Sequence, residues 1–222
     1  MSMDELAAAA LPRFGLSPAA SVRLCNVSEN HTYRVEESES GRRYALRVHR
    51  PGYRTAQQIE SELDWLGALR EDGAVDTCVP VTAPGGERVV EVAADGLDPR
   101  NVVLFEWLPG AEPDPEGDEV IAGFRILGAI SARMHAHARA WTPTPGFERP
   151  AWDYAHTIGP EGYWGRWQDG LGMGPEERGL LDRLDAASRA AWPRTGSRAI
   201  ASGWPTPTSG SPTCSSTRGR SA

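Results

Sequence analysis

The sequence contains no lysine, so all 23 of its basic residues are arginine. Any site that needs a side-chain cation must therefore use a guanidinium. A guanidinium is planar and binds carboxylates or phosphates through parallel N–H groups, whereas an ammonium acts as a point charge. An excess of positive charge is also missing, since the formal net charge is −7. This balance argues against sequence-independent binding to nucleic acid or to an anionic membrane surface, but not against a local arginine site for phosphate.

Cysteine is scarce, and long apolar runs are absent. The cysteines are odd in number and lack metal-ligand spacing, so we expect them to be reduced and structural, as in a cytoplasmic protein: Cys25, Cys78 and Cys214. No stretch approaches the ~20 apolar residues that a membrane-spanning helix needs. The alanine run at residues 7–10 follows two acids without a basic segment, which excludes a secretory signal and favours an amphipathic first helix over residues 4–13.

The composition, with 40% hydrophobic and 24% charged residues, is that of a globular protein. In the first half, short apolar runs alternate with polar turns, which predicts an antiparallel sheet. We expect its strands at residues 22–24, 32–35, 44–48, 88–92 and 102–107, with turns at 26–30, 37–41 and 95–96. One long helix is predicted between the third and fourth strands, because apolar residues recur there at helical spacing: Ile59, Leu63, Leu66 and Leu69.

After Pro109-Gly110 the pattern becomes helical, and helices are predicted over residues 118–139 and 176–191. We therefore predict an α+β, two-lobed architecture. Residues 1–108 would form a β-rich lobe with one long helix, and residues 109–194 part of a helical lobe. Residues 195–222 contain no acid and only one large aliphatic side chain. They cannot bury enough apolar area to offset their ordering entropy, so we predict that they are disordered.

Several segments occur in a characteristic order. They are SENHTYRV (28–35) with YALRVHRPGY (44–53), IESELDWL (59–66), LFEWLPG (104–110) and LGAISARMH (127–135). This ordered set, within residues 20–194, resembles the aminoglycoside phosphotransferase family, which includes choline kinase-like and homoserine kinase-like enzymes. The resemblance implies a protein-kinase-like fold in which residues 1–108 are the nucleotide-binding lobe. It also implies the ATP-dependent phosphorylation of a small-molecule hydroxyl, with ATP and Mg²⁺ as cofactors. The implied partners are a nucleotide and an unknown small molecule, and neither nucleic acid nor a membrane is expected.

The resemblance implies that Arg47, in the third strand, contacts the phosphates of the nucleotide. In kinase-like folds a lysine does this and is held by a glutamate on the following helix, for which Glu62 is the counterpart here. Phosphoryl transfer depends on positive charge placed at the phosphates, and an arginine can supply it. From spacing alone the alternative stays open that Arg47 is an ordinary strand arginine and Glu62 a solvated helix charge.

The resemblance places two further segments at the nucleotide. Ser28 and Asn30 would belong to a loop that covers the phosphates, although their turn lacks a glycine-rich motif and by itself is only a hairpin turn. The residues of the hinge would offer backbone groups to the adenine edge, although the end of a buried strand explains them equally: Glu106, Trp107 and Leu108.

The family's catalytic loop is missing after the last predicted helix. That loop has His-x-Asp followed by Asn, and a later aspartate binds metal, but this sequence has no Asp, Glu or Asn after Asp185. His135 and His137 are spaced i, i+2, which does not bring them to one helix face, so they are not a metal pair. No catalytic or metal-binding residue is therefore assigned. We expect a family member that is inactive as translated, and the alternatives are a non-catalytic nucleotide- or ligand-binding protein or an interaction module.

The residues from Ala201 onward can be decoded in the neighbouring reading frame. A threonine codon read one base early encodes His, Tyr, Asn or Asp, and serine codons of the T-C type then encode apolar residues. The relative spacing of the loop's His, Asp and Asn is that of Thr206, Thr208 and Thr213. We hypothesise a single-base frame slip just before Ala201, and the alternative is a genuine Ser/Thr/Pro-rich linker.

Overall fold

The computed structural model describes residues 2–110, 117 and 119–192. Contacts within the chain define two compact units, Met1–Pro150 and Ala151–Ala222. The predicted lobes, which meet between residues 108 and 109, are a different division of the chain and stay a prediction. The predicted disorder of residues 195–222 and the frame slip before Ala201 concern residues outside the described part.

The first unit contains a five-stranded antiparallel sheet with the strand order β1-β2-β3-β5-β4. Three consecutive strands form a meander, and β5 then pairs with β3 while β4 lies at the edge. This order places β3 in the centre of the sheet. The strands are β1 (Ser21–Val27), β2 (His31–Glu36), β3 (Arg43–Val48), β4 (Val90–Ala94) and β5 (Leu97–Glu106).

All five strands are found near their predicted positions, and two boundaries differ most from the prediction. Strand β1 extends to Val27, into the predicted turn. Cys25 is the extra residue of a bulge, since Leu24 pairs with Tyr33 and Asn26 with Thr32. Pairing with β2 thus continues beyond the bulge. Strand β5 begins five residues before the predicted residue 102, at Leu97. The polar first half of β5 pairs only with β4, so this half is an edge that tolerates a proline. Because its residues are polar, they do not show the apolar pattern from which strands are predicted.

Three helices belong to the first unit: α1 (Met3–Ala10), α2 (Ala56–Glu71) and α3 (Val120–Ala140). Helix α1 continues as a 3-10 turn over Leu11–Phe14 and ends at Gly15, whose φ of 73° favours glycine. Helix α2 begins with a capping box between Thr55 and Gln58, which satisfies two backbone N–H groups at its start. The helices predicted in these regions are confirmed.

The sheet is covered on both faces, and its period-two alternation decides which side chains meet which helix. One buried cluster joins α1 to strand residues such as Leu46 and Leu104. The other joins α2 to Val103 and Phe105. Arg47 pairs with Val103 across the strands, so its side chain lies on the face that α2 covers.

The second unit is described from residue 151 to residue 192. It contains α4 (Tyr154–Thr157), a 3-10 turn (Trp167–Asp169) and α5 (Pro175–Ala191). Arg189 Nη2 donates to Tyr154 Oη at 3.0 Å, and the tyrosine in turn donates to Asp185. Aromatic rings of this unit contact one another, with centroid separations of 4.9 Å for Trp152–Trp164 and 5.7 Å for Trp152–Tyr163.

Candidate functional site

The structure brings two of the predicted site residues into direct contact. Arg47 Nη1 lies 3.0 Å from Glu62 Oε1. The guanidinium carbon of Arg47 also lies 5.0 Å from the ring centroid of Phe105. The exposed fractions of the Arg47 and Glu62 side chains are 31% and 28%. The pair is therefore half-buried, and solvent screens it less than an ion pair on the open surface.

Glu62 has a second partner that the sequence did not indicate. Arg149 Nη1 lies 3.2 Å from Glu62 Oε2. Burial alone would raise the pKa of Glu62, but the charges and hydrogen bonds of Arg47 and Arg149 outweigh burial and hold that pKa below its ordinary value. The carboxylate is thus ionised at neutral pH. Because 87 positions separate Glu62 from Arg149, no local pattern could have predicted the contact.

A cavity of about 220 Å³ adjoins the pair. Its volume is below the ~300–1,000 Å³ of cavities that enclose drug-sized ligands, so it suits a flat base better than a whole nucleotide. Its lining includes Arg47 and the predicted hinge residues Glu106, Trp107 and Leu108. Three further lining residues were not predicted: Ala45, Cys78 and Phe105. Ala45 and Phe105 pair with each other on the face of the sheet that carries Arg47, so the alternation along the strands could have indicated these two residues.

Two of the predicted hinge residues already use their backbone N–H groups in hydrogen bonds within the protein. The N–H of Glu106 donates to the carbonyl of Val79 at 2.9 Å, and the N–H of Trp107 donates to the carbonyl of Arg43 at 3.3 Å. Among the described residues, the N–H of Leu108 is the remaining backbone donor of the predicted hinge. An adenine edge at this wall of the cavity would therefore bind to that N–H and to backbone carbonyls.

The β1–β2 turn lies near Arg47 but does not line the cavity. The N–H of Ser28 donates to the carbonyl of Asn30 at 3.1 Å. The Oδ1 atom of Asn30 accepts from the N–H of Arg50 at 3.2 Å, which ties the turn to the end of β3. Strand β2 starts directly after the turn, and its Thr32 pairs with Arg47. Ser28 and Asn30 therefore lie at the end of the sheet that carries Arg47.

His49 is a buried residue near the pair that the sequence did not indicate. Its exposed fraction is 5%, and within the described residues neither ring nitrogen has a hydrogen-bond partner. Burial, and then the positive charge of Arg47, lower the pKa of His49 to about 4, and Glu62 opposes this shift. The imidazole is therefore neutral at physiological pH and adds no cation to the site.

Replacing His49 with leucine should remove a pH dependence of folding. The pKa of this histidine falls from 6.5 to about 4 on folding, so its contribution to stability is complete above pH ~6.5 and is lost as the pH falls towards 4. The loss should reach about 3 kcal/mol. Urea unfolding between pH 4 and pH 7 should show this decline in the unsubstituted chain and a flatter profile in His49→Leu.

The exposed His135, changed to glutamine, is the matched control and should keep the original profile. At pH 7 His49→Leu should be nearly neutral, because it removes two buried nitrogens without breaking a hydrogen bond. An equal decline in His49→Leu and in the unsubstituted chain would assign the pH dependence to other groups.

In the ranges that the structure covers, no group of three His, Cys, Asp or Glu side chains is arranged to hold a metal ion. His137 instead connects α3 to α2, since its Nδ1 accepts from Trp65 Nε1 at 3.2 Å and its Nε2 lies 2.9 Å from Asp72 Oδ2. No helix of the described residues has the length and apolarity to cross a membrane.

Comparisons with known proteins identify the family. The model of the phosphotransferase enzyme family matches residues 23–201. That match covers most of the chain, so the chain belongs to this family. An uncharacterized protein of Deinococcus radiodurans is 33% identical over 145 residues, which make up 65% of this chain and 39% of that protein.

Two solved structures are similar in fold. The microcompartment-associated aminopropanol kinase has 44% sequence identity and a TM-score of 0.77, over 87% of this chain and 58% of that kinase. The amicoumacin kinase hAmiN in complex with AMP-PNP, Ca²⁺ and Ami has 24% identity and a TM-score of 0.61, over 82% of this chain and 51% of that kinase. The chain thus spans little more than half the length of these kinases. Their similarity confirms the predicted kinase-like α+β fold.

Proposed function

We propose that this chain is the nucleotide-binding part of an ATP-dependent phosphotransferase that acts on a hydroxyl of a small molecule. The observation that carries the proposal is the half-buried Arg47–Glu62 pair beside the cavity. A cation held in place next to an apolar recess is what a triphosphate nucleotide requires, because the base needs a dry wall and the phosphates need fixed positive charge.

The proposed binding mode uses both ends of the site. Adenine occupies the cavity against Phe105, with its edge at Leu108 and the neighbouring backbone of Glu106 and Trp107. The phosphates lie at Arg47, which Glu62 holds. The turn with Ser28 and Asn30 covers the phosphates, and its position at the Arg47 end of the sheet supports that role. The lining of the cavity and the strand register support these assignments.

The proposed substrate is a short amino alcohol. The support is the 44% identity to the aminopropanol kinase, over 87% of this chain. Magnesium would accompany ATP, because Mg²⁺ neutralises the charge of the phosphates in phosphoryl transfer. A cytoplasmic location, predicted from reduced cysteines, stays part of the proposal, and the two cysteines in the described part, Cys25 and Cys78, are free thiols.

The 222-residue chain is not expected to turn over ATP. Phosphoryl transfer needs a residue that orients the acceptor hydroxyl and residues that hold metal at the phosphates, yet no Asp, Glu or Asn follows Asp185. The proposed cause is the frame slip just before Ala201. The family match ends at residue 201, which supports a change of reading frame at that place.

Nucleotide binding is the first test of the proposal. Thermal unfolding of the chain should shift upwards with ATP, because a ligand that binds only the folded state stabilises it by about 2.7 kcal/mol at a hundredfold excess over its Kd. Adenosine should produce a smaller shift, since it lacks the phosphates. A chain that responds to neither ligand and instead forms dimers would favour an interaction module.

A non-catalytic nucleotide-binding protein is the second candidate, because no Asp, Glu or Asn that could orient an acceptor or hold metal follows Asp185. It would show the same response to ATP. The two candidates differ in the product of the shifted frame. That product should transfer phosphate if the chain is an interrupted enzyme, and it should fail to do so if the chain is a non-catalytic binding protein.

A further inference from the structure

Glu62 lies between two guanidinium groups, and each of its oxygens contacts one of them. Oε1 accepts from Arg47 Nη1 at 3.0 Å, and Oε2 accepts from Arg149 Nη1 at 3.2 Å. The three side chains have similar exposed fractions, 31% for Arg47 and 28% for both Glu62 and Arg149. The pairing of Arg47 with Glu62 is therefore through one oxygen only, although an arginine and a carboxylate can pair through two.

The approach of Arg149 is fixed by the segment that carries it, residues 144–149. Contacts to α2 hold this segment along most of its length. The N–H of Glu148 donates to the fully buried Ser61 Oγ at 2.9 Å. The other contacts are Gln57 Nε2 to the Gly146 carbonyl (2.8 Å), Gln58 Nε2 to Glu148 Oε1 (2.9 Å) and Thr144 Oγ1 to Asp64 Oδ2 (3.0 Å). Arg149 therefore reaches Glu62 from a backbone that is already anchored.

The lack of lysine gives this contact a chemical consequence. A lysine ammonium beside a glutamate is a point charge and still presents donors to a phosphate. An arginine beside a glutamate tends to form a bidentate pair, in which two of its N–H groups face the carboxylate. A bidentate pair with Glu62 would turn the guanidinium of Arg47 away from the phosphates and use the donors that they need.

We propose that Arg149 is a positioning residue for Arg47: by occupying the second oxygen of Glu62, it prevents a bidentate pair and keeps the remaining donors of Arg47 available to phosphate. This inference rests on the proposed nucleotide function. In the part of the chain that the structure describes, Arg47 donates from Nη1 to Glu62, and its Nε and Nη2 donate to no protein group. Those are the donors that the phosphates would use.

The test compares Arg149→Gln in two backgrounds. With Arg47 present, Arg149→Gln should weaken ATP binding about tenfold by titration calorimetry and leave adenosine binding unchanged, because only the phosphate end is affected. In an Arg47→Lys background the same change should alter ATP binding less than about twofold, since lysine cannot form the bidentate pair.

The matched control is Arg88→Gln. Arg88 also pairs with α2, through Glu60 and Asp64, but does not contact Glu62. It should leave the affinity for ATP unchanged in both backgrounds, and thermal unfolding should confirm that each variant is folded.

Equal loss of ATP affinity in the two backgrounds would overturn the positioning role, because a direct contact with phosphate or a structural effect does not depend on residue 47 being arginine. A parallel loss of adenosine binding, or no loss at all, would overturn it as well. If the unsubstituted chain binds adenosine and ATP equally well, or binds neither, the proposed function itself fails and the positioning role fails with it.

Discussion

The product of the shifted frame, read from codon 201 onwards, should phosphorylate a short amino alcohol with ATP, while the 222-residue chain should show no turnover. The shifted frame can encode His, Asp and Asn at the positions of Thr206, Thr208 and Thr213. Positioning of the acceptor and electrostatic stabilisation provide most of the catalysis in phosphoryl transfer, so the difference in rate should be roughly 10³-fold or more. A coupled assay of ADP release in the presence of aminopropanol measures it.

The control is the shifted-frame product in which the aspartate decoded at the position of Thr208 is changed to asparagine. It should bind ATP as tightly as its parent and lose the turnover. The hypothesis is wrong if the shifted frame soon reaches a stop codon or encodes no later aspartate that could bind metal. It is also wrong if the unaltered 222-residue chain turns over ATP at the same rate.

Arg47→Met should raise the Kd for ATP between roughly tenfold and a hundredfold, because it removes one or two charge-assisted hydrogen bonds to phosphate. The affinity for adenosine should stay the same, since methionine keeps the apolar stem beside Phe105. Glu62 retains its ion pair with Arg149 in this variant, so the carboxylate is not left without a partner. Titration calorimetry with ATP and with adenosine measures both affinities.

The exposed Arg23, on the edge strand β1, changed to methionine is the control for the loss of one positive charge. It should bind ATP like the unsubstituted chain. If Arg23→Met and Arg47→Met weaken ATP binding equally, the effect comes from net charge, and Arg47 has no special role at the phosphates.

The contact between Arg47 and Glu62 was predicted from the family resemblance, and local patterns are compatible with it. Alternation along β3 decides the face on which Arg47 lies, and the helical spacing of Ile59 and Leu63 turns one side of α2 towards that face. Glu62 then follows from its position on the helix. The family resemblance indicated this pair rather than other arginines and acids of the chain, and the distance between the two side chains agrees with that prediction.

The remaining features of the site depend on contacts between distant parts of the chain. Arg149 reaches Glu62 through a segment that docks on α2 from 87 positions away. Cys78 lines the cavity from a loop with no regular pattern. The burial of His49 follows from packing around the end of β3, and its sequence context reads like a polar turn. Local periodicity carries no information about such contacts.

The exposed start of α3 has a consequence for the colloidal behaviour of the chain. Ile121, Phe124, Ile126 and Leu127 have exposed fractions between 56% and 72%. Apolar side chains exposed in this way draw copies of a protein together, whereas the net charge of −7 pushes them apart. Because dissolved salt weakens the repulsion and leaves the attraction intact, ionic strength is the variable that decides whether the molecules stay separate.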